Sequence, residues 1–186
     1  MAKNRSRDNT GLTYSGSIAL VNTSQINTIK KYLQKHVEPE ALHFDTLNIG
    51  IFNNCLVIPA YQEEYPSLKK VWQKLGKNVL IILVVNSPKA GDTKTQDLIN
   101  DLLIDSHTRR VNKNLSFLVN TEERSILLVD RCSIPIPSKQ GVGLARKIGA
   151  DIALSLIMNK QIKSPWIFCT DADVSLPSSY FDADKD

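Results

Sequence analysis

Val79-Leu80-Ile81-Ile82-Leu83-Val84-Val85 decides the fold. Every position is apolar, so neither face of an extended segment tolerates water, and that pattern marks a strand covered on both sides in a parallel sheet. Working outward, Cys55-Leu56-Val57-Ile58 reads as a shorter strand upstream, followed by a helix from Glu63 to Leu75. Pro66 suits the first turn of that helix, Leu68, Val71, Trp72 and Leu75 form its apolar stripe, and Gly76 is placed as a C-terminal cap. Downstream, Thr93-Lys94-Thr95-Gln96 resembles a capping box that opens a helix with Leu98, Ile99, Leu102 and Leu103 on its buried side. A third strand is expected at Ile126–Val129, with Leu115–Val119 either its rival or a short extra strand. After the loop Ile134-Pro135-Ile136-Pro137-Ser138, a long helix from about Lys139 to Lys160 turns Leu144, Ile148, Ile152 and Leu156 inward. The last apolar run, Trp166-Ile167-Phe168-Cys169-Thr170, reads as a buried strand. Strands and helices alternate, which predicts an α/β fold with a mostly parallel sheet flanked by helices. Right-handed crossovers then collect the strand C-termini on one edge, where ligands of such sheets bind.

The bulk numbers are compatible with that reading and exclude little else. The 186 residues fit one domain able to bury its own core. The segment 51–186 carries the α/β pattern. Residues 23–50 hold an N-terminal helix and its connection, with Ile26, Ile29, Leu33 and Val37 on one face and Glu38-Pro39 as the stop. Residues 1–22 carry no sustained periodicity and read as an irregular tail. That tail is basic but lacks the apolar core of a secretory signal, and the longest apolar run is too short to span a bilayer. A cytoplasmic protein with no membrane span is expected. Three cysteines, Cys55, Cys132 and Cys169, sit in or beside apolar segments, as small buried hydrophobes do in a reducing compartment. A net charge of +4, spread without aromatic interleaving, argues against nucleic acid and suits a small anionic ligand.

The predicted edge carries the chemistry. Asp171-Ala172-Asp173 places two carboxylates, one residue apart, at the tip of the last strand. Carboxylate oxygens suit Mg²⁺ or Mn²⁺, ions that complete their coordination with water and substrate phosphates. An Asp-x-Asp turn whose side chains bond their own backbone is the structural alternative. Asp182-Ala183-Asp184, an identical triplet with no strand before it, reads as a solvated terminus. The first strand delivers Pro59-Ala60-Tyr61-Gln62-Glu63-Glu64, with Tyr61 offering a flat face and the two glutamates complementing a helix N-terminus; an ordinary strand-to-helix turn accounts for it equally. The second delivers Asn86-Ser87-Pro88, polar groups for a base or ribose, or simply a turn. Gly141-Val142-Gly143-Leu144-Ala145-Arg146-Lys147-Ile148-Gly149-Ala150 combines small residues with a guanidinium suited to phosphate. It departs from the dinucleotide fingerprint because Arg146 stands where a glycine is required. Its glycines also suit close helix packing alone, with Arg146 and Lys147 on a solvated face beside Asp151.

Taken together, the segment from Leu56 to Glu64, the Gly141 to Ala150 segment and Phe168-Cys169-Thr170-Asp171-Ala172-Asp173 resemble, in order and spacing, the family 2 glycosyltransferases of the GT-A fold. The resemblance spans about Cys55 to Phe181 and implies a Rossmann-like nucleotide-binding half. It implies a nucleoside diphosphate sugar as donor and an acceptor hydroxyl as the group glycosylated, with inversion at the anomeric carbon. Pro59, Ala60, Tyr61 and Glu63 would surround the nucleoside, Asn86 the base or ribose, and Arg146 and Asp171 the nucleotide, with Asp171 and Asp173 holding Mg²⁺ or Mn²⁺. Family members often carry aspartate where this chain has Asn86. The chain stops soon after Asp173, before the segments that in this family supply the acceptor surface and general base. A donor-binding portion, incomplete for turnover and self-associating through its exposed edge, is therefore expected. Two other readings stand beside it: a non-catalytic module that retains nucleotide binding, and a nucleotidyltransferase, which lacks a glycine-rich triphosphate cradle after the first strand.

Overall fold

The apolar run lies at the centre of a sheet. In the computed structural model, which describes residues 23–44 and 47–182, strand β2 (Val79–Asn86) lies between β1 (Asn54–Ala60) and β5 (Ser125–Arg131). It is parallel to both and buried at every position. Two antiparallel strands, β3 (Ser106–Arg110) and β4 (Leu115–Asn120), extend the sheet beyond β5, and β6 (Phe168–Cys169) pairs parallel with β1 on the far side. The order is β3-β4-β5-β2-β1-β6, a mixed six-stranded sheet whose β1, β2, β5 and β6 run parallel.

Among the described residues four helices flank it: α1 (Thr23–Lys35), α2 (Tyr65–Trp72), α3 (Thr93–Ile104) and α4 (Gly141–Met158). Alternation along the strands sorts the core into two layers. Leu56, Ile58, Ile81, Leu83, Ile126 and Leu128 face α2 and α3, meeting Leu68, Trp72, Leu98 and Leu102. Cys55, Val57, Leu80, Ile82, Leu127 and Val129 face α4, meeting Ala145, Ile148, Ile152 and Leu156. The chain crosses the sheet from β1 through β2 to β5 and then returns to β6 on the other side of β1. Right-handed crossovers require the covering helix to change face at that reversal, and α4 does.

Helix α1 and the 3-10 turn Pro39–His43 rest on the α4 side. The Asp151 carboxylate on α4 accepts the Tyr32 hydroxyl at 2.7 Å, the Glu38 N–H at 2.9 Å and the Lys147 ammonium at 2.7 Å. Asp151 is therefore a buried anchor, not part of a solvated face.

Several local expectations change. Both candidates for the third strand are strands, because the chain passes out to β4 and back to β5. The polar segment Ser106–Arg110 is a further strand that its sequence does not announce. Helix α2 starts at Tyr65 and ends at Trp72. Gly76 is no left-handed cap, since among the described glycines positive φ is confined to Gly50, Gly91 and Gly141; instead Arg124 donates to the carbonyls of Gly76 and Gln73. Helix α3 is capped by Asp92, whose carboxylate accepts the Thr95 N–H at 2.9 Å, one residue before the expected cap. The last strand is not buried: β6 has two paired residues at a sheet edge, Trp166 is 59% exposed, and Cys169 is exposed. The apolar run there serves local packing, with Ile167 against the α4 layer and Phe168 against Tyr180 and Phe181. The tail 1–22, and Ala183 and Asp184 of the second Asp-x-Asp triplet, lie outside the described residues.

Asp105, just past α3, ties this outer region together. Its carboxylate accepts the hydroxyls of Tyr65 and Thr121, both at 2.6 Å, and the Lys69 ammonium at 3.4 Å. The Thr121 and Tyr65 hydrogen bonds hold its carboxyl below the ordinary 3.8. The unfolded chain thus binds this proton at a higher pH than the folded one, so the stabilisation is complete above pH 3.8 and is lost as pH falls through the folded value. Asp105→Asn is expected to cost about 1.5–3 kcal/mol at pH 7. Urea unfolding across pH should show the variant and wild-type curves converging below pH 3.8; parallel curves would contradict this assignment.

Candidate functional site

A cleft of about 440 Å³ opens at the C-terminal ends of the parallel strands, lined by Pro59, Tyr61, Glu63, Asn86, Pro88, Ile136, Ser138, Gly141, Val142, Asp171, Ala172 and Asp173. It lies at the reversal of strand order between β1 and β6, the crevice that open α/β sheets use for ligands. Of the residues singled out from sequence, Pro59, Tyr61, Glu63, Asn86, Asp171 and Asp173 share this cleft. Ala60 does not present its side chain there, because strand alternation sends it into the core with Leu56 and Ile58. Arg146, on the second turn of α4, joins through an ion pair with Asp171.

Each wall has a local cause. After β6 the Thr170 N–H donates to the Val57 carbonyl at 3.1 Å, which keeps the chain alongside β1 up to the aspartates. Ala172 is buried in the α2-side core, while Asp171 and Asp173 on either side of it are exposed, so a single buried methyl turns both carboxylates outward. The pair supplies oxygen donors of the kind Mg²⁺ and Mn²⁺ take. Among the described residues no group of three or more His, Cys, Asp or Glu side chains is arranged to cage an ion. A cation at the pair would therefore take its other ligands from water or from a bound anion.

The opposite wall is fixed by Asp92. Gln62 adopts a left-handed φ of 55°, and its N–H donates to Thr95 Oγ1 at 3.3 Å. The Gln62 amide donates to Asp92 Oδ2 at 2.8 Å, and the Tyr61 hydroxyl reaches the same oxygen at 3.5 Å. The Thr95 N–H and then Gln62 hold the Asp92 carboxyl below its usual range, while burial and then the Asp92 charge push the Tyr61 phenol up. Tyr61 therefore enters the cleft as a neutral ring, 41% exposed and tethered at its hydroxyl. A tethered ring face is a stacking surface.

The floor comes from the loop after β5. The Ser87 N–H donates to the Arg131 carbonyl at 3.1 Å and the Ile136 N–H to the Ser87 carbonyl at 2.9 Å, which draws Ile136 and Ser138 under Asn86. The sequence marks the loop Ile134 to Ser138 without singling out Ile136 or Ser138 as part of a site; its position after a parallel strand is the available signal. Asn86 itself is nearly buried at the end of β2.

Cys169, at the edge beside this site, departs from the buried role its apolar neighbours suggested. Local desolvation nonetheless raises its thiol pKa. No helix among the described residues is long and apolar enough to cross a membrane. Comparison with protein-family models, with curated proteins and with solved structures returned no match, so what this chain does must be argued from the cleft itself.

Proposed function

We propose that the cleft binds a nucleoside diphosphate sugar through Mg²⁺ or Mn²⁺ at Asp171 and Asp173, as the donor site of a GT-A-type glycosyltransferase. The observation that carries the reading is convergence: motifs separated by up to about a hundred residues meet at one strand-order reversal. Tyr61 would stack on the base, Asn86 would hydrogen-bond base or ribose, and the first turn of α4, which opens with Gly141 at φ +39°, would lie close to the phosphates. Arg146 would hold phosphate oxygens. When bound, the cation supplies positive charge for the nucleoside diphosphate that departs as the sugar–oxygen bond breaks. The chain's own part is to orient that leaving group and to keep both aspartates turned towards the cleft while Ala172 between them is buried.

Titrating the protein with UDP-, GDP- and TDP-sugars, with and without Mn²⁺, tests the reading. Metal-dependent binding of one of them is expected, and Asp173→Ala should weaken it at least tenfold, with Asp171→Ala at least as damaging. Metal-independent binding, or no binding by folded protein, would refute it.

A nucleotide-binding module without turnover is the second reading. It is favoured by exposed apolar side chains around β6, Trp166 before it and Val174 after it, with Val142 on the cleft rim. That surface suits self-association. The same titration, followed by an assay of sugar release, separates the two: binding without hydrolysis or transfer to any acceptor supports the module.

A further inference from the structure

We propose that Arg146 makes cation entry conditional on the diphosphate, by occupying Asp171 until phosphate oxygens draw the guanidinium away. This rests on the nucleotide-sugar reading of the cleft and adds an order of events to it. The Arg146 Nη2 donates to Asp171 Oδ1, so the carboxylate that would grip the metal is already neutralised. Three carboxylates, Glu63, Asp171 and Asp173, line the cleft wall, and Arg146 is the cation paired with one of them. Left unpaired, Asp171 and Asp173 would take a divalent ion with water as its other ligands, with or without a nucleotide. The guanidinium opposes this in two ways: it competes for a ligand oxygen, and it places a positive charge beside the incoming one.

The same fork is drawn more strongly to a diphosphate than to a single carboxylate, because it can bridge two oxygens of either and the diphosphate carries the larger charge. Arrival of the diphosphate therefore releases Asp171 and offers the ion phosphate ligands in the same step. Arg146 and Asp171 lie on independent elements, α4 and the segment after β6. Both side chains are about half exposed, so the exchange needs side-chain rotation and no movement of the sheet. Exposure also limits the strength of the pair, and the expected effect on cation affinity is about two- to fivefold.

The test uses the whole chain with Mn²⁺ followed by water proton relaxation, and inorganic pyrophosphate as the base-independent diphosphate. With Mn²⁺ alone, R146Q is expected to bind about two- to fivefold more tightly than wild type, whereas R146K, which keeps a charge, should stay near wild type. Adding pyrophosphate should raise Mn²⁺ affinity in the wild type and raise it less in R146Q, because coupling between two ligands is lost with the residue that links them. Equal Mn²⁺ affinity of R146Q and wild type, with undiminished coupling, would overturn the proposal while leaving the donor-site reading intact. No Mn²⁺ binding by either protein, with or without pyrophosphate, would overturn both. Circular dichroism of each variant confirms that an exposed substitution has left the fold in place.

Discussion

Replacing Arg131 by methionine is expected to destabilise the protein by about 3 kcal/mol, the low end for breaking a buried ion pair. Arg131 ends β5, and its Nη1 lies 3.2 Å from Oε1 of Glu40, which is 4% exposed. The same oxygen accepts the Asn114 amide at 3.0 Å. The second Glu40 oxygen and the Arg131 Nε are buried without a partner, so the pair is only half satisfied. Removing the arginine strands a carboxylate in the interior. Removing both charges does not, and the double variant Glu40→Met, Arg131→Met is expected to fall within about 1 kcal/mol of wild type. Denaturant midpoints of the two single variants and the double variant measure the coupling; additive losses would show that the pair is not the source. The consequence reaches the cleft, because the Arg131 carbonyl holds Ser87, which in turn positions Ile136.

Gly149→Ala is expected to destabilise by about 1–3 kcal/mol, opposite in sign to its effect in an isolated helix, where alanine gains about 1 kcal/mol over glycine. A Cβ there would stand 2.3 Å from Cγ1 of Val57. Val57 is fully buried in β1 between two paired strands, and a β-branched side chain has little freedom to turn away. Helix α4 would have to lift, carrying Arg146, three residues earlier, away from Asp171. In a Val57→Ala background only the Cβ of residue 57 remains, at 3.4 Å, an ordinary van der Waals distance, and Gly149→Ala should become neutral or stabilising. A thermal melt of the four proteins decides it, since about 1 kcal/mol moves the midpoint of a chain this size by about 2–4 °C. A stabilising Gly149→Ala in the Val57 background would show that the helix does not press on the strand as described.

The two predictions differ in how far sequence led to them. Gly149 lies within a segment whose glycines suit either close packing or phosphate approach. The structure gives packing to Gly149 and leaves Gly143 facing open space. Nothing local linked Glu40 to Arg131, which are ninety-one residues apart. The same contrast runs through the site. Asp171 and Asp173 could be picked out because an apolar run stops beside them, but the run is an edge of two paired residues and not a buried strand. No site role is legible in sequence for Ile136 and Ser138, because the hydrogen bonds that Ser87 donates and accepts decide where their loop falls.

Local pattern alone determined that this chain forms alternating strands and helices around a parallel centre. An all-apolar stretch such as Val79–Val85 has one stable home, between two covering layers, and the stripe Ile148, Ile152, Leu156 has one inward face. Strand order, the exposed edge at β6, the polar strand β3, the cap at Asp92 and the meeting of Tyr61 with Asp171 across the cleft were decided only by tertiary structure. Periodicity records which side of an element shuns water, a property of neighbouring residues. Which elements become partners depends on long-range pairing and packing across the whole sheet, and no short window of sequence contains that information.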